Sequence, residues 1–301
     1  MDFGEVRHTI RVGSRGSDLA LIQTEHVLSL LRRSGIDESM KVQVIRTSGD
    51  RAPASNPAAG SFADAINDMV IDEQLDIGVH SMKDLPAILP SGLEIAVVPR
   101  RAGRHDCLVG PATLYRLPSG STVGTSSPRR IAQTARVRPD LKIVGLRGNV
   151  TTRVSALSSG KTISAVLAVA GLERLDPKLP DGIGIYPLPL DHFVPAAGQG
   201  ALAVVCRKGY IPEEVRRSAS DRQTLGETVV ERAVLRELDA GCSTPLGISA
   251  VSFGRGYTVH IQLLSPDGSR EAKLTAGISS DGDVTGIISS FEKLRASRFG
   301  Q

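Results

Sequence analysis

Short apolar runs alternate with amphipathic stretches over the first two thirds of the chain, the pattern of a β/α fold whose strands are buried on both faces. Ile10-Arg11-Val12-Gly13 reads as a first strand, and Ser17 is placed to cap a helix whose apolar positions Leu19, Leu21, Val27, Leu28 and Leu31 run on to a stop at Gly35. Further short strands are expected at 42–45, 75–79 and 93–98, with a Gly/Ala/Pro/Ser loop at 52–61 and a helix from Phe62 to about Glu73. After the basic linker at 99–104 the alternation restarts, with strands expected near 107–109, 121–124, 141–144 and 163–169. Pro187, Pro189 and Pro195 mark a crossing segment, and the apolar run at 199–206 supplies a strand that could return to the first sheet. Two crossings imply a hinge.

From Ser220 the pattern changes to one long helix ending near Ala240, a hairpin-like strand pair at 248–253 and 257–264, and a terminal helix. The expected organisation is therefore α/β with three domains: 1–99 plus 200–218, 104–195, and a small α/β domain at 219–301. A chain of 301 residues is long enough to bury a core in each.

Composition narrows the chemistry. No apolar run approaches bilayer length and the first thirty residues lack a signal-peptide pattern, so a cytoplasmic protein without a membrane partner is expected. Cys107, Cys206 and Cys242 have no CxxC spacing and are odd in number, which argues against a disulfide framework or structural zinc, and no metal is expected. Formal charge is only +4, so any anionic ligand must be held by locally clustered arginines. Nucleic acid is not expected as a partner, because aromatics are 3% of residues, tryptophan is absent and no nucleic-acid motif occurs. Neither a G-x-x-x-x-G-K-[ST] loop nor a strand-linked G-x-G-x-x-G is present.

Three stretches concentrate chemistry. In Gly78-Val79-His80-Ser81-Met82-Lys83-Asp84-Leu85-Pro86 an apolar strand empties into a Lys-Asp pair, at the carboxyl edge where open α/β sheets collect ligands. An isolated pair of this kind is also the mark of a solvated turn. In Gly124-Thr125-Ser126-Ser127-Pro128-Arg129-Arg130 a serine suited to N-cap a helix precedes proline at its first position, which puts two arginines in the first turn. Cations there oppose the helix dipole and make sense beside an anion. Leu146-Arg147-Gly148-Asn149-Val150-Thr151-Thr152-Arg153 repeats the arrangement at the next strand exit, so four arginines converge on what reads as a ligand with several carboxylates or phosphates. Cys242, in Asp239-Ala240-Gly241-Cys242-Ser243-Thr244-Pro245, is on local grounds equally a loop-exposed thiol or a buried one, whereas Cys107 and Cys206 lie within apolar strands.

VHSMKDLP, GTSSPRR, LRGNVTTR, LAVAGLERL, PAAGQGAL and ERAVLRELDAGCSTPLG, taken in order, resemble the porphobilinogen deaminase (hydroxymethylbilane synthase) family from about residue 10 to 255. The resemblance implies two domains like type II periplasmic binding proteins joined by hinge strands, with a third carrying the cysteine loop. It implies a transferase that condenses porphobilinogen head to tail, with loss of ammonia, on a dipyrromethane cofactor held as a thioether by Cys242, giving hydroxymethylbilane for tetrapyrrole synthesis. It further implies that Asp84, with Lys83, is catalytic: a general acid as ammonia leaves, then a stabiliser of positive charge on the pyrrole nitrogens. Cofactor contacts are expected from Lys83, Asp84, Thr125, Ser126, Ser127, Arg129, Arg130, Arg147 and Gly148. Substrate contacts are expected from Arg15, Ser17, Gln23, Phe62, Arg147, Arg153, Arg174 and Gln199. A monomer is expected.

The chain departs from the family pattern at Ala58-Ala59-Gly60-Ser61-Phe62-Ala63-Asp64-Ala65-Ile66-Asn67, where the family usually reads like G-K-G-L-F-V-K-E-L-E. Ala59 and Asp64 replace lysines and Ala65 a glutamate, removing positive charge beside the expected cleft. A paralogue releasing a shorter pyrrole oligomer, and a non-catalytic small-anion-binding protein, are the alternatives. Pro128 for leucine and Ala240 for glycine are changes that helix starts and loop bends tolerate.

Overall fold

A computed structural model describes residues 9–46, 62–239, 244–279 and 283–300. The chain divides into two compact units, Met1–Arg101 with Ala201–Leu225, and Ala102–Gly200 with Gly226–Gln301.

In the first unit β1 (Ile10–Arg15), β2 (Met40–Ile45) and β3 (Ile77–Ser81) run parallel, while β10 (Leu202–Arg207) lies antiparallel between β3 and β4 (Leu93–Val97), giving the order β2-β1-β3-β10-β4. Side-chain alternation splits the central strands between two cores. Ile77, Val79, Leu202, Val204 and Cys206 pack with Val27, Leu28 and Leu31 of α1 (Asp18–Arg33) and Val215 of α6 (Glu213–Ala219). Ala201, Ala203 and Val205 pack with Ala63, Ile66 and Val70 of α2 (Phe62–Ile71). Ser17 caps α1, its hydroxyl accepting from the Ala20 amide at 3.3 Å.

The second unit repeats this order. β6 (Thr122–Gly124), β7 (Lys142–Val144) and β8 (Ser164–Ala168) are parallel, and β5 (Asp106–Gly110) lies antiparallel between β8 and β9 (Gly184–Pro187) in the order β7-β6-β8-β5-β9. Each sheet thus inserts, as its fourth strand in space, the segment that follows a crossing of the chain. Around this sheet lie α3 (Pro128–Val137), α4 (Val150–Ser158) and α5 (Val169–Leu175). The expected strand at 163–169 stops at Ala168, and Val169 begins α5. β9 occupies what reads as a proline-marked crossing. Pro187 is accommodated because β9 is an edge strand and pairs only with β5.

The remainder of that unit is an antiparallel sheet, β11 (Leu246–Phe253), β12 (Gly256–Leu264) and β13 (Glu271–Ile278), whose core draws on Val230 and Val234 of α7 (Arg222–Glu237) and Ile287 and Phe291 of α8 (Thr285–Phe299). Sequence periodicity had pointed to two of these strands and missed β13, as it missed α6. This layer has its own core, yet it is bonded into the unit. Gln133 donates to Gln262 Oε1 at 2.7 Å, Arg104 donates to Glu227 at 2.6 Å, and the Gly198 amide donates to Glu231 at 2.7 Å. Among the described residues no helix is long and apolar enough to cross a membrane.

Candidate active site

The carboxyl ends of β1 and β3 lie side by side because those strands are parallel neighbours. β1 ends on Arg15 and β3 on Ser81, and a single 3₁₀ turn, Met82–Asp84, follows. Two buried side chains, Met82 and Leu85, pin the turn to the second core of the sheet. The Met82 amide donates to the Ala201 carbonyl at 3.0 Å and the Leu85 amide to the Met82 carbonyl at 3.1 Å. Anchoring on both sides pushes Lys83 and Asp84 outward, and both are exposed. Arg15 Nη1 stands 3.9 Å from Asp84 Oδ2, with both side chains about half exposed. Such a contact orients the carboxylate without neutralising it.

Gln23, on α1, is buried and its Oε1 accepts from the Ser81 hydroxyl at 3.1 Å. It braces the strand end that leads to Asp84. His80 is also buried, and no described residue partners its Nε2. Burial first, and Arg15 second, push its pKa down to about 4 against the opposing pull of Asp64. Phe62 begins α2, but its side chain lies outside the described residues, as do Ala59, Ser61 and Cys242.

The second unit presents its own strand exits. Past β6, Thr125 is buried, its amide donating to the Val144 carbonyl at 3.0 Å and its hydroxyl accepting from the Ser127 amide at 3.3 Å. Ser127 caps α3 by accepting from the Arg130 amide, and Pro128 occupies the first turn where no amide is required. Ser126 is half-buried between them. Past β7, Gly148 takes φ +104°, a left-handed turn that a side chain would strain. Asn149 then caps α4, accepting from the Thr152 amide at 2.7 Å. Arg147 on this turn is exposed. Arg153 Nε donates to the Gly148 carbonyl at 2.9 Å, and burial, with the nearby Arg130 charge, lowers its pKa. Arg174 Nη2 donates to the Gly200 carbonyl at 2.7 Å.

Arg129 and Arg130 are placed otherwise than surface ligand arginines would be. Both are buried and bonded to Asp106, the first residue of β5 and itself fully buried. Arg129 Nη1 donates to Asp106 Oδ2 at 2.6 Å, to Gln133 Oε1 at 2.9 Å and to the Val194 carbonyl at 3.0 Å. Arg130 donates to Asp106 Oδ1 through Nε at 3.1 Å and Nη2 at 2.7 Å, and to the Val166 carbonyl through Nη1 at 3.2 Å. Burial raises the Asp106 pKa, but the two guanidiniums outweigh it and hold the group well below the usual carboxylate range. Gln199, expected as a substrate contact, is instead internal. Its amide nitrogen donates to Asp106 Oδ1 and the Arg104 carbonyl, and its oxygen accepts from Arg129 Nη2.

Asp106 and Gln133, bonded to Arg129 in the second unit, and His80, next to Ser81 at the end of β3 in the first, are buried polar residues that the sequence alone does not single out. Asp106 opens an otherwise apolar strand, and nothing in its local sequence marks it out from the other acidic residues.

A family model described as the dipyromethane cofactor binding domain of porphobilinogen deaminase matches residues 10–212, and one described as the C-terminal domain of porphobilinogen deaminase matches residues 225–285. The chain is 41% identical over 266 residues to the porphobilinogen deaminase of Rubrobacter xylanophilus, covering 86% of this chain and 85% of that one. It is 43% identical over 262 residues to that of Thermus thermophilus, covering 85% of each chain. To that of Geobacillus kaustophilus it is 43% identical over 276 residues, covering 88% and 87%.

Proposed function

The chain belongs to the porphobilinogen deaminase family, and from that premise we propose how its residues divide the work of condensing porphobilinogen into hydroxymethylbilane. The protein is a transferase of the hydroxymethylbilane synthase type with a dipyrromethane cofactor. The observation that carries the substrate reading is a charge imbalance. Arg129, Arg130 and the desolvated Arg153 lie together in the second unit, and Asp106 is the one carboxylate bonded to any of them among the described residues. Desolvated guanidinium groups in excess stabilise an incoming polycarboxylate, and each pyrrole unit carries an acetate and a propionate.

The same donor set fits the cofactor. Arg129, Arg130, Arg147 and Arg153, with Ser126 and the capped starts of α3 and α4, supply side-chain and backbone donors for its carboxylates, and in the first unit Lys83 is a cation next to Asp84 in the same turn. Cys242 is the residue to which it is attached. When bound, the dipyrromethane supplies the pyrrole carbon onto which the first unit is condensed. Asp84 does the chemistry. Its exposed carboxylate accepts the substrate's ring N–H and opposes the positive charge that grows on the ring as the carbon–nitrogen bond breaks and ammonia departs. After carbon–carbon bond formation it takes up the proton lost from the attacking ring. Arg15, 3.9 Å away, keeps the carboxylate aimed while binding a substrate carboxylate on its other edge. Ser17 and Gln23 hold the two strand ends, and Arg174 adds charge near Gly200. The reading has the protein acting as a cytoplasmic monomer. Neither a shorter product nor a non-catalytic role gains support from these residues.

The test is the intact mass of the purified, denatured protein, followed by peptide mapping, because a thioether-linked two-pyrrole adduct survives denaturation. We expect the adduct on the Cys242 peptide, and an unmodified mass for Cys242→Ser. A wild-type chain that stays bare after incubation with porphobilinogen would refute the reading.

A further inference from the structure

His80 is a buried polar side chain with no part in the steps above, and strand register decides what lies beside it. β1 and β3 pair in parallel with Gly13 opposite Gly78. Side chains alternate between faces, so the next positions on that face are Arg15 and His80, one strand spacing of about 4.8 Å apart. This is the α2 face of the sheet. The alternate positions Val12, Ile77 and Val79 pack with α1, and the Ser81 hydroxyl donates to Gln23 of α1. A Cβ at Gly13 or Gly78 would instead meet Ile66 of α2, at 3.0 or 2.6 Å. Across β10, His80 faces Ala203, which is small and fully buried.

The ring fills the room that these small residues leave. A Cβ on Gly78 would lie 2.7 Å from Nε2, so the ring lies back over its own strand. Nε2 has no partner among the described residues, and packing rather than hydrogen bonding therefore holds it. A buried polar group left unpaired destabilises a fold, and here it is kept at the strand exit beside Arg15. After burial itself, the groups that act on the ring are the charge of Arg15 from β1 and the opposing charge of Asp64 from the first turn of α2.

We propose that His80 is a positioning residue for Arg15: its uncharged ring fills the α2 face of the sheet beside the arginine, so that the guanidinium cannot fold back over the strands and stands toward Asp84, 3.9 Å away. A long side chain has many rotamers, and a wall on one side removes those that lead away from its partner. A flat neutral ring does so without repelling the cation. This rests on the roles assigned to Arg15 and Asp84 above.

The experiment is a double-mutant cycle on His80→Ala and Arg15→Met, each protein first shown by intact mass to carry the adduct. For all four proteins kcat and KM for porphobilinogen and the thermal midpoint are read, with kinetics run well below the lowest midpoint. We expect His80→Ala to lower kcat about tenfold or more, since a displacement of about 1 Å in a catalytic constellation can cost about 100-fold. Once Arg15→Met has removed the side chain on which His80 acts, the same change should lower kcat by less than about twofold. His80→Leu, which restores much of the bulk, should recover part of the kcat. Equal fold-losses in both backgrounds overturn the proposal. So does a His80→Ala protein with a lowered midpoint but wild-type kcat, because His80 then serves the fold alone. Should His80→Ala not fold, His80→Val keeps a strand-forming apolar side chain that is too short to wall in the arginine, and the cycle is run on it with the same two outcomes. The underlying reading fails by different signs: a wild type that takes up no adduct from porphobilinogen, or an Arg15→Met with wild-type kcat, refutes the roles given above and this inference with them.

Discussion

His80 makes the stability of the first unit depend on pH by an amount that follows from its burial. The ring sits at the end of β3, buried, with Nε2 unpartnered among the described residues. Its pKa is about 4 in the folded protein against 6.5 as the ordinary value. The folded value lies below the unfolded one, so the unfolded chain binds more protons as the solution acidifies. The stabilisation from keeping His80 neutral is complete above about pH 6.5 and is lost progressively as the pH falls toward 4. Two single-proton binding curves with those values give a loss of about 2 kcal/mol between pH 7 and pH 5. The assay is urea unfolding at both pH values for wild type and for His80→Leu. The variant has its own stability at pH 7, which is immaterial. What matters is its change with pH, in which the other histidines, including the partly buried His105 and His260, contribute equally to both proteins and cancel. His80→Leu should lose about 2 kcal/mol less than wild type over the interval. Losses that agree within about 0.5 kcal/mol, the usual limit of additivity, would refute the claim that the ring is held neutral in the core. The consequence for activity is direct, because Ser81 and the turn bearing Asp84 follow His80 immediately, so acid should disable catalysis by loosening their seat.

Asp84→Ala should retain the adduct on Cys242 while single-turnover condensation of porphobilinogen slows at least about 100-fold, the scale of a lost acid–base group. Wild-type turnover would remove Asp84 from the mechanism. Gly200→Ala tests the backbone at the chain crossing. Gly200 has φ +87° and a Cβ there would lie 2.5 Å from the Ala102 carbonyl oxygen. The Gly200 carbonyl accepts from the Ala102 amide at 3.1 Å and from Arg174 Nη2 at 2.7 Å. Left-handed strain plus one disrupted bond amounts to about 2–3 kcal/mol, to be read as a lowered midpoint in guanidinium unfolding. An unchanged midpoint would show that the crossing backbone relaxes freely.

The hydrophobic pattern determined a large part of this molecule by itself. Strands β3 and β10 are apolar runs buried on both faces, and such runs are legible because every residue in them obeys the same constraint. Local signals were equally readable where the physics is local. Ser17 and Ser127 cap helices with their own side chains, and Pro128 fills a first turn. The position of Asp84 also followed from sequence, since an apolar strand ending in a charged turn needs only its own neighbours, Met82 and Leu85, to be displayed.

Elements and roles that depend on distant partners were not legible. β9 reads as a crossing because its proline is acceptable only at a sheet edge, and edge status is a property of the sheet. β13 and α6 escaped notice in the same way, taking their places from the layers they join. Arg129 and Arg130 read in the sequence as donors for a ligand, and Gln199 as a contact for substrate, with no sign of the internal carboxylate that they share. Asp106 bonds the two arginines from 23 and 24 residues away in sequence, and Gln199 reaches it from 93 residues away. A residue's charge can be read from the chain, but whether that charge is spent on an internal partner or left for a ligand is decided only when folding brings the partner within hydrogen-bonding distance.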